Sequence, residues 1–138
     1  MNAVRHPRGI LDTSAVIQLV RITDAASLPE EPLITAVTLA ELSVGPLVTT
    51  DEHDREARQA HLQQAEADFE PLPFDASAAR SFGRVAASLR RAGRKTAART
   101  NDAIIAAIAL ANGLPVYTCN ASDFQGIDGL VVVPIVIE

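Results

Sequence analysis

Short apolar runs alternate along the chain with longer stretches of helical spacing, and this pattern predicts strands and helices in turn. Residues 9–11 form the first run, which ends at Asp12, and the apolar spacing after it predicts a helix. Residues 33–36 form a second strand-like run. We expect a helix to open at Thr38 and to close at the Gly-Pro pair 45–46.

The middle of the chain is predicted to be mainly helical. Residues 51–68 are polar and rich in alanine, as in a helix that faces solvent. Residues 69–74 contain two prolines, which restrict this stretch to an edge strand or an extended connector. The next helix is expected to be capped by Asp75 or Ser77 and to stop at Gly93.

The most apolar stretch lies near the end of the chain. Residues 103–111 are apolar almost all round, which predicts a helix buried on most sides. Thr100 or Asn101 is expected to cap this helix, and Gly113 is expected to end it. Two more strands are predicted, at 114–118 and 131–137. Strands that alternate with helices imply a parallel sheet covered on both faces, so the predicted class is α/β.

Composition narrows the range of functions. The 138 residues fit one domain, and an aromatic content of 4% counts against a base-stacking platform for single strands. The lone Cys119 follows a strand-like run and fits a small buried hydrophobe better than a nucleophile. A single cysteine also fits a reducing compartment, and the longest apolar run is too short to cross a bilayer. We therefore expect a soluble, cytoplasmic protein that does not associate with membranes.

Charge is unevenly distributed along the chain. The formal net charge is −5, yet residues 76–101 contain no Asp or Glu and hold seven of the twelve Lys and Arg residues. A local basic segment can hold phosphates even on an acidic protein. A solvated helix face that keeps the protein soluble explains the same segment equally well.

Four acidic residues lie either between a predicted strand and the helix after it or in the first turn of a predicted helix: Asp12, Glu41, Asp102 and Asp123. Ligands of an open parallel sheet bind beyond the carboxyl ends of its strands, so we expect these acids to converge. Clustered carboxylates repel one another unless a cation neutralises them, and hard oxygen donors without a His or Cys cluster select Mg²⁺ or Mn²⁺. Such an ion activates water and clamps a phosphodiester, so the pattern predicts metal-dependent phosphodiester hydrolysis.

Each acid also has a purely structural explanation. Asp12 can cap the following helix, and Glu41 can close a capping box with Thr38, which is the role that its local sequence favours when Glu41 is taken alone. Asp102 can favour the positive end of a helix dipole, and Asp123 can start a turn. The prediction of a site therefore depends on the four acids as a set.

Four motifs give the chain a resemblance to a known family: Ile-Leu-Asp-Thr-Ser-Ala at 10–15 and the segments 34–42, 100–107 and 114–124. In the order and spacing of these motifs the chain resembles PIN-domain ribonucleases, and specifically the VapC toxins of bacterial toxin–antitoxin pairs. The resemblance covers nearly the whole chain. It implies one PIN domain over residues 1–138, with a three-layer sandwich in which helices flank a mostly parallel central sheet.

The same resemblance implies a ribonuclease that cuts within RNA and depends on Mg²⁺ or Mn²⁺. The catalytic acids would be Asp12, Glu41, Asp102 and Asp123. Asp12 and Asp102 would be the principal metal ligands, directly or through water. Thr13 and Ser14 would support the geometry of the pocket. Asn120 is the alternative to Asp123 in the fourth position, but it can bind an ion only through a neutral carbonyl.

The family also implies partners. A VapB-type antitoxin from the same operon would block the acidic site, and the toxin would form a homodimer and a hetero-oligomer with the antitoxin. An acidic pocket suits a basic plug such as an arginine of the antitoxin. From charge and proximity to the site, we place the RNA backbone along Arg90, Arg91, Arg94, Lys95 and Arg99.

Four other functions share some of these sequence features. A phosphatase with an aspartyl nucleophile needs a second acid two residues after the strand-end Asp, where this chain has Ser14. A receiver-type domain keeps a late lysine, and this chain has none beyond Lys95. The remaining two are a catalytically idle PIN domain that binds protein and a PIN nuclease of RNA processing. Intact acids at the site argue against the idle domain.

Overall fold

A computed structural model describes residues 5–137 of the chain. Within these residues one sheet contains four strands: β1 (Arg8–Leu11), β2 (Glu31–Leu33), β3 (Val116–Thr118) and β4 (Val132–Pro134). Their order is β2-β1-β3-β4 and every neighbouring pair is parallel. The carboxyl ends of all four strands therefore meet at one edge of the sheet, and β1 ends near its middle.

Helices connect the strands and cover the sheet. The described residues contain five α-helices: α1 (Thr13–Ile17), α2 (Ala36–Val48), α3 (Glu52–Asp68), α4 (Ala76–Arg91) and α5 (Thr100–Asn112). They also contain short 3₁₀ helices at Leu19–Arg21, Ala25–Ser27, Thr96–Arg99 and Ala121–Phe124. None of the helices in residues 5–137 is long and apolar enough to cross a bilayer.

The two faces of the sheet carry separate apolar cores. Side chains alternate between faces along a strand, so Ile10 and Val116 pack with α4 and α5, whereas Leu11 and Tyr117 pack with α1 and α2. All four side chains are almost completely buried. The result is three layers, with helices on both faces of a parallel sheet, as the α/β prediction required.

Helix α2 differs from the prediction at both ends. It begins at Ala36 and not at Thr38, because the Thr35 hydroxyl caps it by accepting a hydrogen bond from the Thr38 amide at 3.4 Å. It also continues through the predicted stop, and Pro46 is buried inside it. Arginines of α3 donate to the carbonyls at this point, from Arg55 to Pro46 and from Arg58 to Gly45. These bonds satisfy backbone oxygens near the proline.

Other predicted ends are closer to the structure. The Asp75 side chain caps α4 as predicted, and the helix ends at Arg91, two residues before the expected stop at Gly93. Gly113 ends α5 with a φ of 66°, a left-handed conformation that favours glycine. The prediction that Thr100 or Asn101 caps α5 is wrong, because the 3₁₀ helix before α5 runs directly into it and places Arg99 at the cap position.

The segment after α3 confirms the expected connector. Leu72 forms an isolated parallel bridge with Thr35, and its amide donates to the carbonyl of Ile34 at 3.0 Å. Strand β2 begins two residues and ends three residues earlier than predicted, because Thr35 already serves as the cap of α2. Cys119 is half-buried, and burial raises the pKa of its thiol, which disfavours the nucleophilic thiolate.

Candidate active site

Asp12 stands at the carboxyl end of β1 and is 3% exposed. Its Oδ1 accepts hydrogen bonds from the Ser14 hydroxyl at 2.7 Å and from the Ala15 amide at 3.0 Å, so it does cap α1. Its Oδ2 accepts from the Thr118 hydroxyl at 2.6 Å. Burial raises the pKa of Asp12, these hydrogen bonds oppose the rise, and the charge of Asp123 adds to it. Asp12 therefore caps α1 and also places its carboxylate at the edge of the sheet where the strands end.

Thr118 is a site residue that sequence analysis missed. It ends β3, which lies beside β1, and the pairing of Leu11 with Tyr117 brings Thr118 level with Asp12. Its hydroxyl oxygen also accepts from the amide of Asn120 at 2.9 Å. The sequence does show a threonine at the end of a predicted buried strand. It indicates a site residue only when the pairing of β3 with β1 is known, because that pairing places Thr118 beside Asp12.

Ser14 completes the support of Asp12. Its hydroxyl oxygen accepts from the Cys119 amide at 3.1 Å and lies 3.3 Å from the Thr118 hydroxyl oxygen. The start of α1 and the end of β3 are thus tied together around one carboxylate. This arrangement fixes the orientation of Asp12 before any ligand binds.

We expect Thr118→Val to lower the free energy of unfolding by about 2 kcal/mol, because it removes a hydroxyl that donates to a buried carboxylate. Urea unfolding at pH 7 measures the difference. Thr118→Ser keeps the hydroxyl and is expected to lose less than half as much. A valine variant as stable as the wild type would show that the Thr118 bond contributes nothing to the fold.

Glu41 reaches the same edge from α2. Its Oε1 accepts a hydrogen bond from the Thr13 hydroxyl at 2.7 Å, and this hydroxyl oxygen lies 3.0 Å from that of Thr38. The capping-box explanation of Glu41 is wrong, because Thr35 caps α2 and Glu41 is the sixth residue of the helix. Its side chain is therefore bound to the neighbouring helix α1 and not to the start of its own helix.

Asp102 lies in the first turn of α5 and is partly buried. Burial raises its pKa to about 6, with further contributions from the negative charges of Asp123, Asp12 and Glu41. Arg99 acts in the opposite direction. All four predicted acids therefore lie within electrostatic range of one point on the sheet edge.

The fourth acid is held by an internal ion pair. Asp123 lies in the 3₁₀ helix after β3, and its Oδ1 accepts from Nη1 of Arg99 at 3.1 Å. Both side chains are partly exposed, 38% for Asp123 and 30% for Arg99. Asn120, the alternative for the fourth position, is exposed and donates its backbone amide to Thr118.

The basic segment divides into two groups. Three of its arginines bind the loop after β3, through the pairs Arg99–Asp123, Arg94–Gln125 and Arg91–Asp128. Arg90 and Lys95 are exposed and form no ion pair within residues 5–137. Three of the five residues assigned to RNA thus have a structural role as well.

Glu41, Arg99 and Asp102 line an open hollow of about 340 Å³. In the described part of the chain, no three His, Cys, Asp or Glu side chains converge closely enough to hold a metal ion together. Mg²⁺ is commonly held by one or two carboxylates while it keeps several waters, and it prefers oxygen donors. The acids at this edge offer only oxygen donors, and Arg99 is the one cation that pairs with or acts on them in the described residues, so the donor set fits such an ion.

Comparison with known proteins agrees with this geometry. Residues 10–130 match the PIN domain family. The chain belongs to the PIN-domain family. Ribonuclease VapC5 of Mycobacterium tuberculosis (strain ATCC 25618 / H37Rv) is 42% identical to it over 130 residues, which cover 93% of each chain. Ribonuclease VapC1 of Rickettsia felis is 30% identical over 91% of this chain and 95% of the relative.

A solved structure of a toxin–antitoxin protein resembles this PIN domain. A crystal structure of VapBC-5 from Mycobacterium tuberculosis, a member of the VapBC family of toxin–antitoxin systems, superposes with a TM-score of 0.80. The two chains are 38% identical, and the match covers 94% of this chain and 99% of the other. The resemblance to VapC proteins and the PIN-like α/β fold are both confirmed.

Proposed function

We propose that this PIN-domain protein is an endoribonuclease that depends on Mg²⁺ or Mn²⁺ and acts as the toxin of a toxin–antitoxin pair. The observation that carries the proposal is that four acids from distant parts of the chain meet at one sheet edge. There burial, and after it the negative charges of Asp123, Asp12 and Glu41, raise the pKa of Asp102. Such repulsion is relieved when a cation binds. The ribonuclease names of the relatives support RNA as the substrate.

Asp12 and Asp102 would hold the ion, and Glu41 would complete the acidic pocket. When bound, the ion supplies an activated water and neutralises charge on the phosphodiester. The Thr118 and Ser14 hydroxyls hold the Asp12 carboxylate in one orientation, so little reorganisation is needed on binding. Oδ1 of Asp12 already accepts two hydrogen bonds, whereas Oδ2 accepts one and keeps a lone pair that an ion could use.

Thr13 fixes the remaining acid of the pocket. Its hydroxyl donates to Oε1 of Glu41 and thereby restrains the side chain from α2 against the start of α1. Asp123 adds negative charge at the same edge and would serve as the fourth acid, ahead of the neutral Asn120.

We place the RNA backbone along Arg90, Arg91, Arg94, Lys95 and Arg99, with the largest contribution from Arg90 and Lys95, which are exposed. Replacing these two by Gln is expected to reduce the slope of log K against log salt by about 1.4, since each phosphate contact on a single strand contributes about 0.7. Filter binding across a salt series measures the slope. An unchanged slope would remove both residues from the RNA path.

A VapB-type antitoxin is the proposed protein partner, in a hetero-oligomer that contains a homodimer of the toxin. The VapBC complex that this chain resembles supports the antitoxin. Large exposed apolar side chains on α1, the 3₁₀ helix after it and the end of α2 also favour a protein partner. They are Ile17, Val20, Val44, Leu47 and Val48.

Cleavage of a mixed pool of structured RNA by the purified, antitoxin-free protein tests the proposed activity. We expect fragments in Mg²⁺ or Mn²⁺ and none in EDTA. Cleavage that persists in EDTA would contradict the metal-dependent mechanism. Folded protein that cuts nothing with either ion would favour the idle, protein-binding PIN domain instead.

A further inference from the structure

Arg99 brings a positive charge into the acidic edge. It occupies the position before α5, its Nη1 lies 3.1 Å from Oδ1 of Asp123, and its guanidinium lowers the pKa of Asp102. The same side chain lines the hollow next to Glu41. Arg99 is therefore part of the site as well as of the loop contact.

The ion pair limits what Asp123 can do. A second divalent ion at this edge would need Asp123 as a ligand, and Asp123 would have to give up its bond with Arg99. If Asp12 and Asp102 hold the first ion, the other acids placed at this edge are Asp123 and Glu41, and Oε1 of Glu41 is already bound by the Thr13 hydroxyl. The neighbouring Asn120 is neutral and exposed. The acids at the edge can thus hold one ion, while Asp123 stays paired with the guanidinium of Arg99.

We propose that the Arg99 guanidinium takes the place of a second divalent ion, so that the site binds a single ion. This inference rests on the metal-dependent function proposed above. An arginine has five N–H donors and its bond to Asp123 uses one, so the guanidinium can also contact a phosphate oxygen of the substrate without leaving Asp123.

Titration of the purified 138-residue chain with Mn²⁺, followed by calorimetry and by electron paramagnetic resonance of free Mn²⁺, tests this stoichiometry. We expect one ion per wild-type chain and two per Arg99→Gln chain, because Asp123 then lacks its internal cation. The double variant Arg99→Gln, Asp123→Asn is expected to return to one ion. Arg99→Lys keeps the positive charge and is expected to bind one.

The results separate this inference from the function on which it rests. Two ions in the wild type, or one ion in a folded Arg99→Gln chain, would overturn the inference and leave the metal site standing. Circular dichroism establishes that the variant is folded. A wild-type chain that binds no ion would overturn both the inference and the proposed metal-dependent function.

Discussion

Asp12→Asn is expected to slow metal-dependent RNA cleavage by a factor of about 10³, equivalent to about 4 kcal/mol of transition-state stabilisation. The substitution removes the negative charge of a proposed metal ligand and leaves the size of the side chain almost unchanged. Asn is as good a helix cap as Asp, so its Oδ1 can still accept from the Ala15 amide. The Thr118 hydroxyl can rotate to accept from the new amide group. The loss should therefore appear in the cleavage rate and not in the fold.

Asp75→Asn is the matched control for this variant. Asp75 caps α4 in the same way, through a bond from the Ala78 amide at 2.9 Å, and it is exposed. We expect this variant to cut RNA at the wild-type rate. Single-turnover cleavage of one defined RNA compares the two. Equal activity of Asp12→Asn and Asp75→Asn would mean that Asp12 has only a capping role.

Asp102→Asn is expected to stop cleavage while it stabilises the metal-free protein. The pKa of Asp102 is raised to about 6, so its charged form is unfavourable in the folded state at neutral pH. An asparagine of the same size avoids this cost. Since Asp102 is only partly buried, we expect a gain of about 1–2 kcal/mol after allowance for solvent screening.

The pH dependence of this gain has a definite sign. In the unfolded chain Asp102 titrates near a pKa of about 3.9, whereas in the folded protein it titrates at about 6. Between these values the folded state holds the extra proton, so the wild type loses stability relative to the variant as pH rises from about 4 to about 6. The difference should be small at pH 4 and complete above pH 7.

Urea unfolding in EDTA at several pH values measures this difference directly. Added Mn²⁺ should then stabilise the wild type and leave the variant unchanged, because a ligand stabilises only the state that binds it. A variant less stable than the wild type at pH 7.5 in EDTA would contradict the raised pKa of Asp102. A difference in unfolding free energy between the two proteins that does not change with pH would also contradict the raised pKa of Asp102.

Much of the fold follows from local patterns in the sequence. The run at 9–11 that ends in Asp12 and the apolar stretch at 103–111 both signal their elements by spacing alone, and the structure contains them. The ends of α2 could not be read in this way. The start depends on Thr35 as a cap, and the end depends on Arg55 and Arg58 from a different helix.

The site shows the same division between local and long-range information. The positions of the four acids after strands and at helix starts predict the site from the sequence. The parallel sheet brings them to one edge, where the charges of the other three add to the effect of burial and raise the pKa of Asp102. Thr118 lies 106 positions from the carboxylate that it supports. The bond from Arg99 to Asp123 spans 24 positions and depends on how the last loop folds back. Contacts of this kind are properties of the packed chain.

Mn²⁺ binding measured by electron paramagnetic resonance tests directly whether the carboxylates at this edge hold a divalent ion. Wild type, Asp12→Asn, Asp102→Asn and Asp75→Asn would be compared at the same pH and protein concentration. We predict that wild type and Asp75→Asn bind Mn²⁺ alike and that the other two variants lose the binding. Undiminished binding in folded Asp12→Asn and Asp102→Asn would contradict the account.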